Sequence, residues 1–305
     1  MTAEMDPVTQ DEALWRFAAP GASGEFELVP GDPPERLASA DAAGLLWSTD
    51  GRRFLLTTPA GPRFLCEAGG RRVVYDPAGG RARDVAAFAF GALSGALAYQ
   101  QGRLPLHASA LETGEGLALL SGPSGAGKST LAAALAGRGA ALFADDVVAV
   151  DWRARPIRAS SAGRRIKLDD HGARLAGVET AGPVRSAPDG DADPRRYVDA
   201  RAVAASAARS LDLKRIYVLA ERDRRPGAPV MDIQRLTGVE ALAAVRGAVF
   251  RRLWGDALIG PATLHKAAAA IAGAAAVYRF SRTADPARFT ETVSRLEAHL
   301  KANVS

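Results

Sequence analysis

Cysteine occurs once in the 305 residues, at Cys66. An internal disulfide is therefore excluded, and so is a cysteine-based metal cluster. Lysine is scarce as well: five of the 39 basic residues are Lys, and the rest are Arg in a chain rich in Ala. The net charge of +5 thus reads as compositional bias more than as a nucleic-acid footprint. The basic residues are dispersed and form no aromatic-interleaved stripe, so no nucleic-acid partner is expected, although an anionic ligand is compatible. No HExxH-type metal signature occurs. The Ala-rich run 267–277 is too short to span a bilayer, so no membrane partner is expected. Residues 1–17 lack a basic segment leading into an apolar run, so they are not expected to act as a signal peptide. A cytoplasmic protein is the simplest expectation.

What is present suits a folded chain with a real core: 48% hydrophobic and 24% charged residues. Residues 1–23 are polar and expected to be mobile. From 24 to 100 the sequence predicts a β-rich domain with a linking helix. Its strands are expected at 25–29, 44–48, 54–58, 63–67 and 72–75, with Gly- and Pro-containing turns between them and a helix over 84–101. Trp47, Phe54 and Phe64 fall on these strands, as β-core residues or as an exposed docking surface. Residues 101–305 form the second expected domain. Strands are expected at 104–111 and 116–121, through 140–151, and at 166–168, 197–198 and 214–220. Helices are expected at 129–136, 238–254, 261–277 and 286–301.

The string Gly122-Pro123-Ser124-Gly125-Ala126-Gly127-Lys128-Ser129-Thr130 fits G-x-x-x-x-G-K-[ST] in full. Glycines let the backbone curl so that successive N–H groups point inward at phosphate oxygens. Lys128 can reach the β- and γ-phosphates, Ser129 offers a hydroxyl to Mg²⁺, and the following helix presents its positive end. An apolar run precedes the loop and a helix-forming run follows it, which is the context the motif requires. The loop predicts binding of ATP with Mg²⁺ but does not say what becomes of the γ-phosphate.

Asp145 and Asp146 end an apolar run one helix later. Carboxylates at a strand end can hold Mg²⁺ or take a proton from a hydroxyl nucleophile. Strand alternation would aim the two side chains at opposite faces, giving them different tasks. His107 lies on the strand before the loop strand. It reads either as a satisfied core residue or as a group that orients the base or contacts the phosphoryl group. His171, His265 and His299 have no local support as ligands and read as surface or packing residues.

The run 107–151, HASALETGEGLALLSGPSGAGKSTLAAALAGRGAALFADDVVAVD, resembles the catalytic core of bacterial HPr kinase/phosphorylase and its HPr-kinase-related relatives. There, a His-containing strand leads into a GxSGxGKS loop, followed after one helix by an Ala-Asp-Asp strand end. The later IKLDD, RRYVDA and LKRIYVL segments resemble the same group more weakly. The resemblance implies an α/β P-loop kinase core, similar also to phosphoenolpyruvate carboxykinase, behind a small β-rich N-terminal domain. It implies that Lys128 binds the phosphates, Ser129 and Asp146 hold the metal, Asp145 deprotonates a serine hydroxyl, and His107 is the active-site histidine. Two features depart from the family: its glutamate and Arg-Gly signature and its C-terminal Arg-rich loop are not recognisable here. A kinase without the phosphorolytic reverse reaction is therefore expected. A β-rich segment fused to such a core resembles the kinases that phosphorylate the C-terminal Ser of lasso-peptide precursors.

The expected function is a Mg-ATP-dependent kinase of a serine hydroxyl in a peptide or small-protein acceptor. Two alternatives stay open: a kinase of a small hydroxylated metabolite such as free serine, and an ATP-sensing regulator without turnover. A homo-oligomer is compatible with the sequence.

Overall fold

The computed structural model describes residues 26–58, 61–78, 85, 88–161, 165–183, 195–198 and 203–302. The expected mobile segment 1–23, Glu25 and Asp84 lie outside these. The described residues fall into two compact units of a mixed α/β protein. One is drawn from Met1–Arg103 and Arg251–Pro261, the other from Leu104–Pro183, Pro194–Phe250 and Ala262–Ser305.

The first unit is built on six short strands: β1 (Glu27–Pro30), β2 (Ala42–Gly44), β3 (Trp47–Thr49), β4 (Phe54–Thr57), β5 (Arg63–Cys66) and β6 (Arg72–Asp76). They order as β1-β6-β5-β4-β3-β2, antiparallel except where β1 runs parallel to β6. The single strand expected over 44–48 is instead the hairpin β2–β3. The Trp47 indole lies over Gly44, where any Cβ would overlap it, so only glycine fits. Phe54 and Phe64 are fully buried, and the ring of Trp254 packs 4.6 Å from that of Phe54. These two aromatics are core residues and not a docking surface, because the sheet face that carries them is covered. A π-helical turn, Ala89–Leu93, leads into α1 (Ser94–Gln100), where the expected helix over 84–101 falls.

The second unit holds β7 (Leu104–Thr113), β8 (Gly116–Ser121), α2 (Lys128–Gly137), β9 (Ala141–Ala144), β10 (Val147–Asp151) and β11 (Arg158–Ser160). After these come β12 (Lys167–Leu168), α3 (Asp170–Ala176), β13 (Thr180–Pro183), β14 (Arg196–Val198), β15 (Ser210–Leu219), β16 (Met231–Leu236) and α4 (Gly238–Gly247). Helix α5 (Arg252–Leu258) belongs to the first unit. The chain ends with α6 (Pro261–Ala274), β17 (Ala276–Arg282) and α7 (Phe289–Lys301). The main sheet orders as β11-β10-β7-β8-β15-β17-β16, with β9 also on β7 and β11 also on β15. Strands β8, β15 and β17 run parallel, so their C-terminal ends share one edge. Strands β12, β14 and β13 form a small separate sheet.

Three runs of the second half break or end differently from the sequence expectation. The run expected as one strand through 140–151 breaks into β9 and β10 at Asp145-Asp146, where Asp146 adopts φ +77°. Asp tolerates that left-handed backbone better than most residues. The helix expected over 238–254 stops at Gly247 and restarts at Arg252, after Arg251 at φ +43°. The helix expected to reach 277 stops at Ala274, and Ala276 and Val277 open β17. Ala is a strong helix former, but here burial of a parallel strand between β15 and β16 overrides the propensity. Strands β11, β13, β16 and β17 were not expected from the sequence. Among the described residues no helix is long and apolar enough to cross a membrane.

Helix α7 buries Phe289, Val293, Leu296 and Leu300, the i, i+4, i+7, i+11 stripe of an amphipathic helix, against a core that includes Leu131, Leu135 and Tyr217. Its C-terminal end is held by Arg215, which is 1% exposed. The guanidinium donates to the carbonyls of His299 (2.8 Å), Leu300 (3.2 Å) and Ala302 and pairs with Glu115 at 2.6 Å. A cation at the negative end of a helix is favourable. Nδ1 of His299 lies 2.8 Å from the Tyr217 hydroxyl, and burial, then the charge of Arg215, push its pKa below the ordinary 6.5. The folded state therefore takes up a proton less readily than the unfolded chain. Its contribution is complete above about pH 6.5 and is lost as the pH falls from there through the lowered value. Thermal melts from pH 7.5 down to 5 should show that decline, and His299→Gln should flatten it.

Candidate functional site

Strand β8 delivers the loop Gly122–Gly127 to the C-terminal edge of the sheet, and α2 starts directly behind it. Gly122, Gly125 and Gly127 all have positive φ (+141°, +76° and +92°), which gives the loop its curl. At Gly122 a Cβ would come within 2.8 Å of the Leu219 carbonyl on β15. At Gly127 it would overlap the guanidinium of Arg282. Lys128 is buried and folds back on its own loop, donating to the carbonyls of Gly122 (2.9 Å) and Pro123 (3.1 Å). Burial pushes its pKa down, and the charges of Asp145 and Asp146 oppose that.

The acidic pair sits at the β9–β10 break. Asp145 is buried, and its Oδ1 accepts from Ser109 Oγ on β7 at 2.6 Å and from Ser129 Oγ on α2 at 3.0 Å. Burial is the largest influence on its carboxyl and raises its pKa, aided by the neighbouring Asp146 charge and opposed by the two serine hydrogen bonds and the charge of Lys167. Asp146 is more open. Burial pushes its pKa up too, but the hydrogen bond from His107 and the charges of Lys167, His107 and Arg195 outweigh it and hold it down to about 2. His107 Nδ1 lies 3.0 Å from the Asp146 carbonyl and 3.3 Å from its Oδ1. A carbonyl only accepts, so Nδ1 carries a hydrogen. Lys167 Nζ on β12 lies 3.8 Å from Asp146 Oδ2.

These groups line one cleft of about 300 Å³. His107, Ser124, Gly125, Gly127, Lys128, Ser129, Thr130, Asp145 and Asp146 all border it. Alternation does not send the two aspartates to opposite faces, because the left-handed Asp146 ends the strand between them. Gly122, Pro123 and Ala126 belong to the loop but do not line the cleft. Their carbonyls accept from Lys128 and, at Ala126, from Arg282 at 3.1 Å. Of the histidines read as packing residues, His171 borders the cleft, whereas His299 packs on Tyr217.

Sequence reasoning missed Ser109, Lys167, Asp169, Arg195, Arg222 and Arg282. Ser109 was within reach, since it lies two residues from His107 on one strand face. Lys167 lay inside an expected strand without a visible partner. Arg282 ends a strand that was not expected at all. Burial, then the charge of Arg222, lower its pKa to about 10.

Among the described residues no three His, Cys, Asp or Glu side chains come together as a metal centre. The donor set suits Mg²⁺ all the same, since that ion is commonly held by one or two carboxylates together with substrate phosphates and water. Ser129 and Asp145 offer adjacent hard oxygens beside the loop.

No protein-family model and no curated protein matches the sequence. Among solved structures the chain is similar to the Hpr(Ser) kinase/phosphatase from Coxiella burnetii, at 16% identity, over 65% of this chain and 97% of that one, with a TM-score of 0.33.

The glycines give a direct test of the loop. Gly125→Ala meets no atom within 4 Å and carries only backbone strain, about 1–2 kcal/mol. Gly127→Ala adds the overlap with Arg282 and should lose clearly more stability. Urea denaturation of the two variants checks the order.

Proposed function

We propose that the chain is a Mg-ATP-dependent kinase that phosphorylates a serine hydroxyl of a peptide or protein, with a core of HPr-kinase type. One observation carries this reading. Two adjacent carboxylates sit in the phosphate-loop cleft in contrasting environments, Asp145 buried against Ser129 and Asp146 open and paired with His107 and Lys167. A nucleotide sensor needs no second carboxylate facing the cleft.

In this reading the loop N–H groups, Lys128 and the N-terminus of α2 bind the phosphates. Ser129 and Asp145 would hold Mg²⁺, which neutralises charge on the phosphates when bound. Asp146 takes the proton from the acceptor hydroxyl as its oxygen attacks the γ-phosphorus, and ADP departs. His107 orients Asp146 through the Nδ1 hydrogen bond. The contact between Ser129 and Asp145 favours this division over the reverse one that the family resemblance implies, because a metal-binding serine and its carboxylate partner should be neighbours. A carboxylate held near 2 also stays ionised throughout the ordinary working range. The sequence resemblance favours the C-terminal Ser of a lasso-peptide precursor as acceptor.

Incubation with labelled ATP and candidate acceptors, read by mass spectrometry, tests the function. A precursor peptide ending in Ser should gain one phosphate and free serine none. Absence of transfer to every hydroxyl acceptor, together with tight ATP binding, would favour the sensor instead. Lys128→Ala should abolish transfer. Asp146→Asn should lose turnover by roughly 10²- to 10⁴-fold, the usual span for a general base, while nucleotide affinity holds. Asp145→Asn should instead weaken the Mg²⁺-dependent part of nucleotide binding. Titration of ATP into both variants, with and without Mg²⁺, separates the roles, and the opposite pattern would exchange them.

A further inference from the structure

We propose that Arg282 is a second phosphate-binding group of the cleft, holding the phosphate chain of the nucleotide from the flank of the loop away from the acidic pair. The sheet order supplies the placement. Strands β7 and β9, with Asp145 at the end of β9, lie on one side of β8, and β15 and β17 lie on the other. Arg282 is the last residue of β17, borders the cleft and is only 6% exposed. Its guanidinium stacks over the ring of Phe289 at 5.6 Å, which fixes its orientation. Among the described residues its one hydrogen bond goes to the Ala126 carbonyl, and no carboxylate pairs with it. The charge that acts on it is a like one, from Arg222, which also borders the cleft.

A buried cation without a counter-charge is costly. Arg215, also buried, shows how this fold otherwise treats one: with a glutamate and three carbonyls. Among the described residues no compensating anion pairs with Arg282, and the adjoining space is the cleft of an anion-binding loop. The planar fork of an arginine suits phosphate oxygens. The ligand class is an oligophosphate, whose charge the two arginines share with Lys128.

This proposal rests on the phosphate-loop reading, and binding to the full chain without turnover tests both. The ligands are Mg-ATP and inorganic tripolyphosphate, followed by calorimetry and thermal shift. Arg282→Met should bind both roughly 10- to 100-fold more weakly, the scale of a charge-assisted hydrogen bond. The free protein should melt no lower than wild type, because an uncompensated buried charge has been removed. Arg282→Lys keeps the charge but loses the fork, and should weaken both ligands several-fold. It serves in place of Arg282→Met should that variant not fold. Wild-type affinity for both ligands in the Arg282 variants would overturn the proposal and leave Arg282 a strut under the loop. Lys128→Ala distinguishes the two levels. If it binds tripolyphosphate as wild type does, the phosphate-loop reading itself fails. If it loses binding while the Arg282 variants do not, only the role of Arg282 falls.

Discussion

Oδ1 of Asp145 accepts hydrogen bonds from two serines on different elements, Ser109 on β7 and Ser129 at the start of α2. Through that one oxygen, β7, which neighbours the loop strand β8, the helix after the loop and the end of β9 are tied together. The loop between β8 and α2 is thereby closed against its neighbours on the β7 side. On the other side it rests on β15, through the close approach of Gly122 to Leu219, and on Arg282. Glycine at 122 and 127 is then a packing requirement as well as a conformational one.

The same bend sets the electrostatics. Asp146 can follow Asp145 into the cleft only because its backbone turns left-handed at φ +77°. Two carboxylates placed side by side raise one another's pKa unless cations intervene. Here the cations are distributed unequally. His107, Lys167 and Arg195 act on Asp146, whereas Asp145 is dominated by burial, opposed by two hydroxyl donors and, least, by the charge of Lys167. Adjacent residues of one chemistry thus acquire opposite tendencies from the segments packed around them.

The phosphate loop was legible in the sequence because its chemistry is contiguous: glycines, lysine and serine lie within one turn and the next helix. The acidic pair was legible by residue type but not by direction, since the strand break at Asp146 depends on a backbone angle that alternation cannot anticipate. The cationic side of the cleft was not legible. Lys167, Arg195, Arg222 and Arg282 come from four separate segments, and their convergence follows from sheet order. Strand β17 was hidden by helix-forming alanines at its start. Phe54 and Phe64 illustrate a further limit, because a period of two identifies two faces of a strand without saying which is covered.

Arg215 carries a consequence for biosynthesis. Its two terminal guanidinium nitrogens bond to carbonyls at the end of α7, as far as 87 positions along the chain at Ala302. While the ribosome is still producing those residues, β15 can pair with β8, but it would have to enclose a positive charge that lacks most of its acceptors. Sealing of this side of the sheet is therefore coupled to the arrival of α7. A nascent chain halted before residue 299 is expected to keep β15 partly open, exposing the apolar face around Tyr217 to chaperones until synthesis has passed that point.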